Sequence, residues 1–374
     1  MLKNQFNLGS IIIFDLTIIG AGVIGLSIGK YFSQLGNSVL IIEKESRAGE
    51  GTSSRNSGVI HAGIYYPENS FKSRFCVEGN KMLYEYADEK NISHSKVGKY
   101  IVASQAGELN ALEKLFQQGI RNNVNLKYCS KEEIEEAIPQ IVCSSALFSP
   151  ETGIIDVPEF ITALEGDIQH KNGIVSFNTE FISAKKSKNF FEISCNDGTN
   201  FSIQSKTLVN ASGLSSDLIS YKIDQLDQRH IFPINFAKGH YFKYSAPNPF
   251  SSLVYPLADE FSLGIHVGFD LSGQLRFGPD LTWIDSIDFS FDESLKEKFI
   301  NSIHRYWPDM DPKKLHPDYV GIRPKIQNNN EGMQDFSILG PKEHGIEGLI
   351  NLQGIESPGV TSALAIGKYV SSLL

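Results

Sequence analysis

The feature that most constrains how this chain folds is a glycine-rich turn set between a strand and a helix. Residues 16–19 are apolar and β-rich, and Gly20-Ala21-Gly22-Val23-Ile24-Gly25 follows directly. A helical pattern then runs from Val23 to about Leu35 and stops at Gly36-Asn37. A second apolar run, 38–42, ends in Glu43. Together these make a β-α-β unit with an acid at its end. Gly20 permits the tight turn, Gly22 lets the backbone approach a pyrophosphate, and Gly25 lets the helix pack closely on the strand. The helix start, at Val23 and Ile24, offers free N–H groups and a positive dipole end to phosphate. Glu43 can accept hydrogen bonds from ribose hydroxyls. An acid there disfavours NADP, whose extra phosphate calls for an arginine. The motif predicts a dinucleotide site and does not by itself separate NAD from FAD.

A chain of 374 residues has room for roughly two domains. With 41% hydrophobic residues it can build a large core, and its net charge of −9 shows no basic footprint for nucleic acid. A few local cations can still make a positive pocket for an anionic substrate. The four cysteines, Cys76, Cys129, Cys143 and Cys195, are scattered without a Cys-x-x-Cys pair. They read as reduced thiols of a cytoplasmic protein, not as a disulfide frame or a metal site. In the stretch 9–29 the only charge is Asp15. Its length approaches the roughly 20 residues a membrane helix needs. The three glycines at turn spacing and the interrupting Asp15 make it a buried strand and turn, so no integral membrane segment is expected. Residues 1–13 read as a loose extension.

Four further segments carry a family likeness. The run 51–66 begins Gly51-Thr52-Ser53-Ser54-Arg55-Asn56-Ser57-Gly58 and continues Val59-Ile60-His61-Ala62-Gly63-Ile64-Tyr65-Tyr66. Gly354-Ile355-Glu356-Ser357-Pro358-Gly359-Val360-Thr361 stands near the C-terminus, with Asn210-Ala211-Ser212-Gly213 and Gly321-Ile322-Arg323-Pro324 between. This set resembles the L-2-hydroxyglutarate dehydrogenase-like branch of the D-amino-acid-oxidase superfamily of flavoproteins. The likeness runs from about Phe14 to the C-terminus. It departs at Ala48-Gly49-Glu50-Gly51, where an acid replaces a small residue, and the chain is shorter than the longer members.

The resemblance implies an α/β (α+β overall) architecture: a Rossmann-like FAD-binding domain with an inserted mixed-sheet substrate domain. The expected division is 14–75, 145–225 and 320–374 for FAD, and 76–144 and 226–319 for substrate. It implies FAD and oxidation of a 2-hydroxy acid, first L-2-hydroxyglutarate, to the 2-oxo acid; the FAD is expected to be non-covalent, with a covalent flavin open because His61 is placed near the ring. The electron acceptor is open between a quinone, another carrier and oxygen, and a peripheral contact with the inner membrane stays open with it. The expected cofactor contacts are Gly20, Gly22, Val23, Ile24, Gly25, Glu43 and Lys44, then Thr52, Ser53, Ser54, Arg55, Asn56 and Ser57. Ala211 and Gly213 follow, and last Gly354, Ile355, Glu356, Ser357, Gly359, Val360 and Thr361.

The residues support these expectations on physical grounds. Residues 52–57 are rich in hydroxyl and amide groups that can satisfy phosphate and flavin, and Arg55 can pair with phosphate. Ser357 is a good N-cap and Pro358 suits a first helical turn, so a terminal helix is expected to point its positive end at the cofactor. Oxidising a 2-hydroxy acid needs a base, and His61 or His266 has the ordinary pKa for it. Arg323 is expected to grip the substrate carboxylate with two hydrogen bonds. Lys238 and Arg276 are candidates for a second carboxylate, and Tyr65, Tyr241 and Tyr255 for the pocket wall. An amine or amino-acid oxidase of the same superfamily is the near alternative, and a non-catalytic flavin-binding redox module the distant one. A reductase using both FAD and NADH would want a second glycine fingerprint and a dithiol, and the sequence has neither.

Overall fold

The computed structural model describes residues 13–105, 107–257 and 264–373. The first dozen residues, read as an extension, lie outside them, and Ile13, read with that extension, opens the first strand. The β-α-β unit forms as expected: strand Ile13–Ile19, helix Val23–Gln34 and strand Val39–Ile42, with Leu16 opposite Val39 in parallel pairing. Val39–Ile42 is buried throughout, as an apolar run covered on both faces should be. Its side chains alternate. Val39 and Ile41 join one core, and Leu40 and Ile42 join another across the sheet.

Five parallel strands form the centre of this sheet. Their order is Leu349–Gln353, Asn200–Asn210, Ile13–Ile19, Val39–Ile42 and Ile174–Ser176. Antiparallel strands Glu180–Lys186, Phe191–Asn196 and Ser337–Leu339 extend it to eight. Helices Val23–Gln34, Val157–His170, Phe71–Lys90 and Gly359–Ser371 supply much of the larger core on one face.

A second sheet of nine strands carries a separate core, with Phe242, Phe277, Phe299 and Trp307 at its centre. It is mixed. Lys99–Ala103 runs parallel to Leu253–Pro256, and the other paired strands run antiparallel. Helix Phe71–Lys90 starts at Ser70, whose hydroxyl accepts from the Ser73 N–H at 3.0 Å. It packs with the first core although the expected boundary at 75/76 runs through it. Strand Ser145–Ser149 pairs with Lys99–Ala103 and so belongs to the second sheet. Core packing places the helix and ladder hydrogen bonds place the strand, and a local sequence pattern reveals neither. Among the described residues no helix is long and apolar enough to cross a membrane.

Candidate active site

The two sheets meet over a cavity of about 550 Å³, within the size range of small-molecule sites. One end is built by the glycine turn. Gly20, Gly22, Val23 and Ile24 border it, and Gly20 has φ +102°, a conformation that favours glycine. A Cβ on Gly20 would lie 2.8 Å from the Ala211 carbonyl oxygen, so the turn nests against the neighbouring strand's exit. Gly25 does not border the cavity. A Cβ there would overlap the Gly20 carbonyl, so its task is close packing beneath the turn. The helix that follows has no side-chain cap and no acid in its first turn, which keeps its positive end available. The Ser53 hydroxyl accepts from the Val23 N–H at 3.2 Å and fastens the next loop to this helix start.

Glu43 and Lys44 border the cavity beside the turn. The Glu43 carboxylate also accepts from the N–H of Ala21 at 2.7 Å and of Glu45 at 3.0 Å. It therefore braces the turn as well as bordering the cavity.

Thr52, Ser53, Arg55, Asn56 and Ser57 border the cavity, whereas Ser54 does not. The Ser54 hydroxyl donates back to the carbonyls of Glu50 and Gly51. The Arg55 guanidinium lies 4.3 Å from the Phe289 ring centroid and donates to the Val320 carbonyl at 3.5 Å, which ties the loop to the second sheet. Tyr319 adds a hydrogen bond to the Asn56 carbonyl at 2.9 Å.

Ala211, Gly213, Gly354, Ile355, Glu356, Ser357, Gly359, Val360 and Thr361 complete the middle of the cavity. The terminal helix Gly359–Ser371 takes Pro358, not Ser357, as its N-cap. Ser357 instead hydrogen-bonds the Tyr66 side chain. With no capping side chain and no acid in the first turn, this helix also presents a positive end.

Glu356 is held in a buried triad. Its Oε1 accepts from Lys72 Nζ at 2.9 Å and Lys325 Nζ at 2.7 Å. Burial alone would raise the carboxyl, but Lys72, Lys325 and Arg323 override it and hold it down to about 2. Its folded pKa lies below the ordinary 4.5. The stabilisation is therefore present above pH 4.5 and lost as pH falls towards 2. Glu356→Gln leaves two ammonium groups buried without their counter-ion and should cost about 3 kcal/mol in urea unfolding at pH 7. The gap between wild type and variant should shrink between pH 4.5 and 2.

At the other end His61, His266, Arg323, Tyr241 and Tyr255 come together. His61 is pinned by its backbone. Its N–H donates to Thr361 Oγ1 at 3.0 Å, and its carbonyl accepts from Asn80 Nδ2 at 2.9 Å. Burial first, then the charges of Lys99 and Arg323, push its imidazole down to about 3, so it is neutral at working pH. Its Nδ1 is buried with no hydrogen-bond partner. His266 Nδ1 lies 3.2 Å from the Gly264 carbonyl, which can only accept. Nδ1 therefore carries the hydrogen and Nε2 keeps a lone pair. The His266 ring stacks on Tyr255 at 3.7 Å, and burial pushes its pKa well below the ordinary histidine value. Among the described residues Arg323 forms no ion pair.

Lys238 and Arg276 are corrections. Alternation along strand Asn235–Tyr244 sends Gly239 and Tyr241 to the cavity and Lys238 to the opposite face. There Lys238 Nζ meets Asp288 at 2.9 Å. Arg276 is taken by Asp318 at 2.6 Å and Asp270 at 2.7 Å. Tyr65 stands behind the wall, with a buried hydroxyl that has no partner. Nothing in the sequence pattern singles out Lys72, Lys325 or Lys99, because a lysine beside an apolar strand ordinarily reads as solvated.

The profile of a family described as DAO, FAD dependent oxidoreductase, matches residues 15–373. The mitochondrial L-2-hydroxyglutarate dehydrogenase of Arabidopsis thaliana is 37% identical over 96% of this chain and 83% of its own length. A glycerol 3-phosphate dehydrogenase of Caloramator mitchellensis is 31% identical over 96% of this chain and 74% of its own. The L-alpha-glycerophosphate oxidase of Mycoplasma pneumoniae, solved with FAD bound, superposes with a TM-score of 0.86 at 25% identity, covering 97% of this chain and 95% of that one. Glycine turn, polar loop and terminal-helix loop line one cavity and all lie within the matched residues, and this chain belongs to the FAD dependent oxidoreductase family.

Proposed function

We propose that the chain oxidises a 2-hydroxy acid to the 2-oxo acid with FAD, and that L-2-hydroxyglutarate is its substrate. The observation that carries this reading is the grouping of an arginine without an ion pair and two neutral histidines at one buried end of the cavity. Residues 20–24, Glu43, the 52–57 loop and the 354–361 loop would hold the cofactor. Bound there, FAD supplies the acceptor for the α-hydride. Arg323 binds the C1 carboxylate through two hydrogen bonds and turns the substrate C–H towards the cofactor. His61 receives the hydroxyl proton as hydride departs; burial and the two cations weaken it as a base, and the negative charge of the bound carboxylate beside Arg323 offsets them and restores its basicity. The rings of Tyr241, Tyr255 and His266 exclude water around it. The exposed N-terminus of helix Gly359–Ser371 stabilises negative charge developing nearby. The second sheet, through Gly239, Tyr241, Tyr255, His266 and residues 321–323, forms the substrate side.

The alcohol-oxidising relatives at 31–37% identity favour a CH–OH donor over the amine alternative. Anaerobic titration with L-2-hydroxyglutarate, glycerol 3-phosphate and a set of amino acids, followed by flavin bleaching, tests the choice. Bleaching by the hydroxy acid alone is expected, and bleaching by amino acids alone would reject the reading. Cofactor binding has its own test. Gly25→Ala should be purified without flavin colour, because the added methyl overlaps the Gly20 carbonyl. Added FAD should raise the unfolding temperature of wild type and leave that of the variant unmoved.

A further inference from the structure

A buried lysine stands one aromatic ring behind the substrate end of the cavity, with no carboxylate paired to it among the described residues. Lys99 heads strand Lys99–Ala103, in register between Leu253 and Ser149. It is 1% exposed, and its Nζ lies 4.6 Å from the ring centroids of both Tyr65 and Tyr255. Among the described residues no carboxylate pairs with it and no acceptor takes its hydrogens. Cation–π contact offsets only part of the cost of burying an ammonium. Burial pushes the group down to about 7, so it stands at the edge of losing its charge, and an anion placed beyond the rings would favour keeping it.

The surroundings give that charge a direction. Tyr255 borders the cavity and stacks on His266, and the Lys99 charge is felt at both His61 and His266. Arg323 can hold one carboxylate. Lys238 faces away and Arg276 is already paired, so neither serves a second one. A charge in a buried site is weakly screened and acts across a ring.

We propose that Lys99 is a positioning residue that, acting through Tyr65 and Tyr255, draws the distal carboxylate of a dicarboxylic 2-hydroxy acid to that wall and makes the site prefer doubly charged substrates. The proposal rests on the hydroxy-acid reading above. The test compares anaerobic flavin reduction by L-2-hydroxyglutarate and by L-2-hydroxypentanoate, which carries a methyl in place of the distal carboxylate. It uses wild type, Lys99→Met, Lys99→Gln and Lys99→Arg, each loaded with FAD. Wild type should prefer the dicarboxylate. Both neutral variants should lose roughly tenfold of that preference, through apparent affinity and with L-2-hydroxypentanoate unchanged. The arginine variant should restore it. A purely structural lysine would weaken both substrates equally, and that result, or an unmoved preference, overturns the proposal. Wild type bleached by neither acid sinks the hydroxy-acid reading instead, and the two failures are told apart by the wild-type trace.

Discussion

Replacing His61 by alanine is expected to slow flavin bleaching by L-2-hydroxyglutarate about 10²- to 10⁴-fold while FAD stays bound. The reasoning starts from position. His61 follows the two-residue strand Val59–Ile60, and its backbone is fixed to Thr361 at the start of the terminal helix. The imidazole is thereby held where the cofactor loops and the substrate wall meet. Burial and two nearby cations keep it neutral, as a base must be before it takes a proton. The cofactor contacts proposed for the 52–57 and 354–361 loops do not depend on the imidazole, so colour should persist. Single-turnover reduction under anaerobic conditions gives the rate. A wild-type rate in His61→Ala with a slow His266→Ala would transfer the base to His266, whose Nε2 already carries a lone pair. Wild-type rates in both would remove histidine from the mechanism.

The second large effect belongs to Arg323. It stands on strand Leu315–Lys325 opposite Ala237 and borders the cavity without an ion pair among the described residues. Truncating one member of a buried, hydrogen-bonded charge pair costs about 2–5 kcal/mol. Arg323→Met should therefore lower the reduction rate divided by apparent Kd by roughly 30- to several-thousand-fold. Most of that loss should fall on affinity. Arg323→Lys should recover only part, because a lysine offers a point charge where the carboxylate fits a planar fork. Equal behaviour of the lysine variant and wild type would show that charge alone, not two-point grip, holds the substrate.

The first half of the site was legible because its chemistry is local. A turn with φ +102°, a close-packed glycine five residues on and an uncapped helix start all lie within Gly20–Gly25, and the paired strand ends in Glu43 nearby. Periodicity and turn chemistry act over such spans, so the sequence carries them openly. Arg323, His61 and His266 were visible as candidates only through motif context and residue type.

Tertiary structure decided the rest. Which face Lys238 takes depends on the pleat of a strand whose neighbours come from residues 275–284 and 315–325. Whether Arg276 is spare depends on Asp318, 42 residues away. The triad joins Lys72, Lys325 and Glu356 across 284 residues. Charge and burial are properties of a surrounding volume, and that volume is filled from every part of the chain. Lys99 shows this most plainly: in the sequence it is one lysine before an apolar run, and in the fold it is an unanswered charge behind two tyrosines.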